Sequence, residues 1–279
     1  MNENQIPLTW LYVPASRPDR MQKALDSPAD VVIVDLEDAV APAFKSEARR
    51  NLELLEEVED RAVEVRINAN GTPWHDADVQ AVSALPRNVG VRLPKAESPQ
   101  SIRYLSEQVD SLSGGPRDLT LLLESAVGVE RAFELATSSP SIVAIGLGES
   151  DLRSDTGIRS EQAMNWVRSR VVIAARAAQL RPVAMSVFPN ISNIDGLMSS
   201  CRCGAELGML GRAAIHPRQL EPIRQVFTPS DDEVERAREV LERLEGANHV
   251  GEGVAVLSDG SFIDAAMIDS ARRILAIIS

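Results

Sequence analysis

Short runs of β-branched and long apolar residues recur along the chain. Between them lie longer stretches in which apolar positions return every three or four residues. The runs are WLYVPA from Trp10, VVIVDL from Val31, VEVRIN from Val63, VGVRLPK from Val89, LTLLLES from Leu119, IVAIGLGESD from Ile142, RPVAMSVF from Arg181 and LGMLGRAAIHP from Leu207. Each has the length of a strand, and their nearly continuous apolar content suits strands buried on both faces, as in a parallel sheet. The segments between them, among them RPDRMQKAL, KSEARRNLELLEEV, SPQSIRYLSEQV and VERAFELATSS, have helix-favouring composition. Eight such alternations predict an α/β fold, a (β/α)8 TIM barrel. A doubly wound open sheet is the structural rival, but no G-x-G-x-x-G turn follows the first run to favour it.

From Thr228 the texture changes. TPSDDEVERAREVLERLEGA reads as one charged amphipathic helix with Ser230 as its N-cap, VAVLSDGSFID as a hairpin turning at Ser258-Asp259-Gly260, and AAMIDSARRILAII as a closing helix. The expected organisation is a barrel over residues 1–228 and a small C-terminal helix-hairpin-helix extension over 229–279. An extension of that size buries too little surface to stand alone. It is expected to pack on the barrel or to reach a neighbouring subunit, which makes the protein an oligomer.

Composition narrows the class. A formal net charge of −12 argues against nucleic acid or an anionic membrane surface as the main partner. No apolar run nears the roughly 18–20 residues of a membrane span. The opening MNENQIPLTW shows neither the basic leader nor the apolar segment of a signal peptide. Cys201 and Cys203, in a C-x-C arrangement, are too close for an ordinary structural disulfide. They are expected as free thiols in a reducing compartment, and the protein as cytoplasmic.

In a barrel of this kind the loops after the strand C-termini form the reactive face. The second run delivers Asp35, Glu37 and Asp38 there; the third, Arg66 and Asn68; the fourth, Lys95 and Glu97; the fifth, Glu124; the sixth, Glu149 and Asp151. Carboxylates crowded on one rim repel unless a cation neutralises them. An all-oxygen donor set without a usable histidine or thiolate points to Mg²⁺, with Mn²⁺ the second choice. Glu124 and Asp151, from adjacent strands, are the expected ligand pair, and Asp35 and Asp38 are expected to orient water around the ion. The competing reading is that such acids cap helices or face solvent. Arg66 has two open readings, a clamp on a substrate carboxylate and an ion pair with Glu37 or Asp38. An acidic rim keeps Lys95 protonated, which disfavours it as a Schiff-base nucleophile. His216 is read as structural, His75 and His249 as solvent-facing.

The motifs, taken in order, resemble a known family. LYVPASRPDR, DVVIVDLEDAVAP with Lys45 and Arg49 downstream, VRIN with TPW, VRLPKAES, LLLESAVGV, GLGESDL, IHPRQLEPI, FTPSDDEV and FIDAAMIDSARRIL are similar to the citrate lyase beta subunit and its stand-alone relatives over nearly the whole chain. The resemblance implies a Mg²⁺-dependent (β/α)8 barrel, commonly trimeric or hexameric, that makes or breaks a carbon–carbon bond beta to a thioester or carboxylate. It implies Glu124 and Asp151 as metal ligands, Arg66 as the arginine for a substrate carboxylate, and Arg17 and Lys23 as contacts to the CoA phosphates. It also implies that Asp264 is an acid inserted into the neighbouring subunit's site. The chain departs from the family pattern at Glu149-Ser150, where many relatives have alanine and glutamate. It departs again at Asn190, where many have aspartate, and at Ala266, where many have proline. The expected activity is cleavage of a 3-hydroxyacyl-CoA such as malyl-, citramalyl- or citryl-CoA into acetyl-CoA and a 2-oxoacid or glyoxylate. The alternatives are a CoA-independent 4-hydroxy-2-oxoacid aldolase and a citrate lyase complex subunit working with an acyl carrier protein.

Overall fold

The computed structural model describes residues 6–58, 60–249 and 254–278. Two compact units divide the chain between Arg224 and Gln225, within the helix Leu220–Phe227.

In the first unit seven strands form one parallel sheet: β1 (Thr9–Pro14), β2 (Val31–Asp35), β3 (Ala62–Arg66), β4 (Val89–Leu93), β5 (Leu119–Leu123), β6 (Ile142–Leu147) and β7 (Arg212–Ala214), in the spatial order β6-β5-β4-β3-β2-β1-β7. Every residue of β2, β4 and β5 is buried, as strands covered on both faces must be. The connecting helices show why this sequence folds so locally. Pro99–Ser113 opens with Ser98 accepting a hydrogen bond from the Ser101 N–H and with proline at the first helical position, and it closes on Gly114 at φ 69°. Its buried face holds Ile102, Leu105 and Val109, each worth about 1.5–3 kcal/mol when removed from water.

The seventh apolar run departs from expectation. Instead of a full strand, the stretch from Arg181 makes a single parallel bridge, Met185 to Arg212. Pro182 has no N–H to give, and Pro189 bounds the other end of the run. The stretch nonetheless spans the two sheet edges. The Arg181 N–H donates to Val143 O of β6, while the Met185 N–H donates to Gly211 O and the Ala213 N–H of β7 to Met185 O. The architecture is a curled seven-stranded parallel sheet flanked by helices, rather than eight fully paired strands.

Register places the chemistry. Pro14, Asp35, Arg66 and Arg92 are successive partners across β1, β2, β3 and β4. Neighbouring strands lie about 4.8 Å apart and partners point to the same face. Asp35 and Arg66 are therefore delivered side by side at the C-terminal end of the sheet.

The second unit contains the helix Asp231–His249, the antiparallel pair β8 (Val254–Val256) and β9 (Phe262–Asp264), and the helix Ile268–Ile278. Ser230 and Glu233 cap each other's N–H groups at the start of the first helix. Ala237, Val240, Leu244, Leu257, Ile263 and Ala271 form a small core within the unit. Among the described residues no helix is long and apolar enough to cross a membrane.

Candidate active site

The acids that end β2 sort into different tasks. Asp35 is 1% exposed and fully engaged. It accepts from Arg66 Nε at 2.8 Å and Nη2 at 2.7 Å, and from the N–H groups of Glu37 and Ala39 at 2.8 and 3.1 Å. A planar fork of this kind fixes the guanidinium as well as neutralising it. Arg66 also lies over the Tyr12 ring, 5.1 Å from its centroid. Its remaining nitrogen, Nη1, is 3.0 Å from Glu37 and 3.5 Å from the exposed Asp38. Burial opposes its charge, but Asp35, Tyr12 and Glu37 hold the guanidinium more firmly protonated than usual. Of the two readings of Arg66, the ion pair is what the side chain forms here, with Asp35 as its principal partner.

Glu37 joins this pair to the next strand end. One carboxylate oxygen lies 3.2 Å from Lys95 Nζ and the other 3.0 Å from Arg66 Nη1. Both oxygens are buried, and neither contact has the alignment of a hydrogen bond. Burial, offset by Arg66 and reinforced by Asp38, raises the Glu37 pKa above the ordinary carboxylate range. Lys95 is partly desolvated, yet Glu37, Asp38 and Glu124 raise its pKa, so its ammonium persists. Its backbone takes the left-handed conformation at φ 52°, uncommon for a residue with a side chain. In this conformation its N–H donates to Glu124 Oε2 at 3.1 Å while Nζ reaches Glu37.

Glu124 follows β5 directly and is buried. Its carboxylate lies against Gly148, where an added Cβ would overlap it. Gly148 is the N-cap of the helix Glu149–Thr156, whose first turn carries Asp151. Burial first, then the charges of Glu37 and Asp151, push the Glu124 pKa up to about 7. Five carboxylates (Asp35, Glu37, Asp38, Glu124 and Asp151) stand on this rim against the cations of Arg66, Lys95 and Lys45. The acid surplus, the glycine cradle under Glu124 and the underbonded oxygens of Glu37 suit a hydrated divalent cation with oxygen ligands. Among the described residues no cluster of three or more His, Cys, Asp or Glu side chains has metal-binding geometry.

The structure thus brings Asp35, Asp38, Arg66, Glu124 and Asp151 to one end of the sheet. Arg17 pairs with Asp19 at 2.9 Å in solvent, and Lys23 is exposed on the helix Pro18–Leu25 that Arg17 caps, outside this ion network. Asp264 ends β9 in the second unit and accepts from the Ala266 N–H at 3.0 Å. A proline at position 266 could not make that bond. His216 is structural, its Nδ1 accepting from the Arg218 N–H. His75 does not face solvent: it is buried, with Nδ1 2.8 Å from Asn68 O. The side chain of His249 lies outside the described residues.

The residues that hold the β2 exit in shape include Lys45, Arg49 and Asn68, named from the sequence without this structural role, and Asp78, which was not singled out. Lys45 is buried, and Nζ donates to Leu36 O, Glu37 O and Asn68 Oδ1 at 2.6–2.7 Å. Asn68 in turn binds Asp78, which pairs with Arg49 at 2.8 Å. The signal was present in the spacing. Lys45, Ala48, Leu52 and Leu55 recur at three- and four-residue intervals and are all buried, so a lysine on that face must find acceptors. Glu149 also belongs elsewhere than the rim, in a fork with Arg168.

The chain is similar to known proteins over nearly its whole length. The model of the family described as HpcH/HpaI aldolase/citrate lyase matches residues 8–217. The chain is 32% identical to an L-malyl-CoA/beta-methylmalyl-CoA lyase of Cereibacter sphaeroides, covering 95% of this chain and 92% of that one. It is 30% identical to the citrate lyase subunit beta of Leuconostoc mesenteroides subsp. cremoris, over 99% and 94% of the two chains. The crystal structure of CitE from Mycobacterium tuberculosis, in complex with magnesium, acetoacetate and coenzyme A, superposes with a TM-score of 0.79 at 32% identity. That match spans 99% of this chain and 100% of the other.

Proposed function

The chain belongs to the HpcH/HpaI aldolase/citrate lyase family, and on that premise we propose that it is a Mg²⁺-dependent carbon–carbon lyase acting on a 3-hydroxyacyl-CoA. The observation that carries the proposal is the Glu124 carboxylate, seated on Gly148, with its pKa raised by burial and by the nearby charges of Glu37 and Asp151. Glu124 and Asp151 would hold the ion. When bound, Mg²⁺ supplies electrophilic polarisation of the oxygens on the carbon that becomes the ketone or aldehyde.

The chain's own groups do the rest. Cleavage requires that a base take the hydroxyl proton as the carbon–carbon bond breaks. The hydroxyl carbon becomes the carbonyl of a 2-oxoacid or glyoxylate. The bonding electrons pass to the thioester as an enolate, which a proton converts to acetyl-CoA. Arg66, fixed by Asp35, turns its Nη1 edge towards the rim for a substrate carboxylate, in competition with Glu37. Lys95, 45% exposed and held protonated, adds a second cation there. Arg17, at the N-cap of the helix Pro18–Leu25, and Lys23, in its last turn, are both exposed and suit the phosphates of CoA. Asp264 is the base of this reading, reaching the site of a neighbouring subunit in a homotrimer or hexamer. Its support is local: it shares the outward face of the hairpin with Val254, Val256 and Phe262, all exposed. The stretch from Arg181 that bridges β6 and β7 is read as the remaining strand of a (β/α)8 barrel, seventh in chain order. Two free thiols fit a reducing cytoplasm.

Incubation of the full chain with malyl-, beta-methylmalyl-, citramalyl- and citryl-CoA plus Mg²⁺, read by mass spectrometry, tests the proposal. Release of acetyl-CoA or its homologue with glyoxylate, pyruvate or oxaloacetate, abolished by chelator, is the expected result. Cleavage of free 4-hydroxy-2-oxoacids with no thioester turnover would overturn it in favour of an aldolase.

A further inference from the structure

The helix Glu149–Thr156 carries Asp151 in its first turn, yet its N-cap, Gly148, has no side chain to hold that turn in place. The turn is held from the side instead. Arg168 Nε donates to Glu149 Oε1 at 2.8 Å and Nη2 to Oε2 at 2.6 Å. Arg168 is 3% exposed and sits on the buried face of the helix Glu161–Ala177, with Met164, Val167 and Val171. Its third nitrogen, Nη1, donates to Asn165 Oδ1 at 2.6 Å and lies 3.0 Å from Glu161. Every guanidinium nitrogen is engaged, so the fork has one geometry rather than several.

Asp151 itself has no such restraint. Among the described residues its carboxylate makes no hydrogen bond or ion pair, and only the backbone of the first turn sets its position. Gly148 receives the Glu124 carboxylate, Glu149 is locked to Arg168, and Asp151 follows two residues later. The three positions form one rigid element in which the orientation of the anchored residue dictates that of the free one.

We propose that Glu149 and Arg168 are a positioning pair for the metal site, fixing the helix turn that sets Asp151 against Glu124. The proposal rests on the reading of Glu124 and Asp151 as cation ligands. The pair touches neither ion nor substrate. It acts by keeping Asp151 in place at no cost when the ion arrives, and partners of this kind influence metal affinity by about 10–100-fold. A glutamate at this position has an arginine-bound role distinct from the rim carboxylates, which accounts for its turning away from Glu124.

Isothermal titration with Mg²⁺ tests the pair on the full chain, comparing wild type with Glu149→Gln, Arg168→Lys and a control, Glu161→Gln. Glu161 contacts the same arginine but is 68% exposed and belongs to the other helix. Expected are dissociation constants raised about 10–100-fold in Glu149→Gln and Arg168→Lys, and within about twofold of wild type in the control. The Mg²⁺ concentration for half-maximal turnover should rise in parallel while kcat at saturating Mg²⁺ is retained. Circular dichroism confirms that each variant is folded, and Glu149→Gln, the isosteric change, decides if Arg168→Lys does not fold. Folded Glu149→Gln with wild-type Mg²⁺ affinity, or an equal loss in the control, overturns the positioning role. A wild-type chain that takes up no Mg²⁺ removes the underlying metal reading instead.

Discussion

Asp35 and Asp38 stand three residues apart, yet their energetics differ widely. Asp35 carries the Arg66 fork in a buried setting, so Asp35→Asn leaves a guanidinium without its main counter-charge. Removing one partner of a buried pair costs about 3–5 kcal/mol. Asp38 is 56% exposed and 3.5 Å from the arginine, so Asp38→Asn is expected to cost less than about 1 kcal/mol. Urea denaturation of the two variants measures the contrast, and equal costs would contradict it. Glu124 makes a pH prediction. Its folded pKa of about 7 lies above the value of about 4.3 expected in the unfolded chain. Between these values the folded chain holds a proton that the unfolded chain has released, so metal-free stability falls as pH rises across the window. Glu37, also shifted up by burial, adds in the same direction. Mg²⁺ binding restores what is lost, so the Mg²⁺-induced rise in Tm is expected to grow from pH 5 to about pH 7.5 and to shrink in Glu124→Gln.

At the scale of elements, Gly148 links a sheet strand to a helix and gives the Glu124 carboxylate its seat. Its φ of −98° is open to any residue, so Gly148→Ala tests the missing Cβ alone. The methyl group is expected to displace Glu124 and to weaken Mg²⁺ binding by more than about tenfold while the helix forms normally, an outcome that titration and circular dichroism separate. Strands and their ends were legible in the sequence because buried parallel strands read as unbroken apolar runs. Asp35, Arg66 and Glu124 were thus found at strand ends from runs such as VVIVD and LTLLL. The seventh run misled, since its apolar content matches a strand but Pro182 and Pro189 limit its pairing to one bridge at Met185. The inner wiring was less legible. Which acid Arg66 takes, and that Glu149 faces Arg168 rather than the rim, depend on side-chain directions that strand spacing does not encode. The buried lysine at position 45 and arginine at 168 were readable, because helical periodicity puts both on apolar faces.

At the scale of the whole molecule, the proposed cation ligands lie in the unit Leu8–Arg224 and the proposed base, Asp264, in the unit that contains Gln225–Ser279. If the base acts in a neighbouring subunit, two inactive variants complement each other. Glu124→Gln and Asp264→Asn, each inactive alone, are expected to regain part of the wild-type rate when refolded or co-expressed together; a mixture as inactive as its components would confine the site to one chain. The claim on which all else depends is that one divalent ion sits between Glu124 and Asp151. Anomalous diffraction from crystals soaked in Mn²⁺, collected near the manganese edge, locates that ion directly. A single anomalous peak bonded to both carboxylates, at the C-terminal end of β5 and β6, is the predicted result, and a peak elsewhere or none in a fully soaked crystal would contradict it.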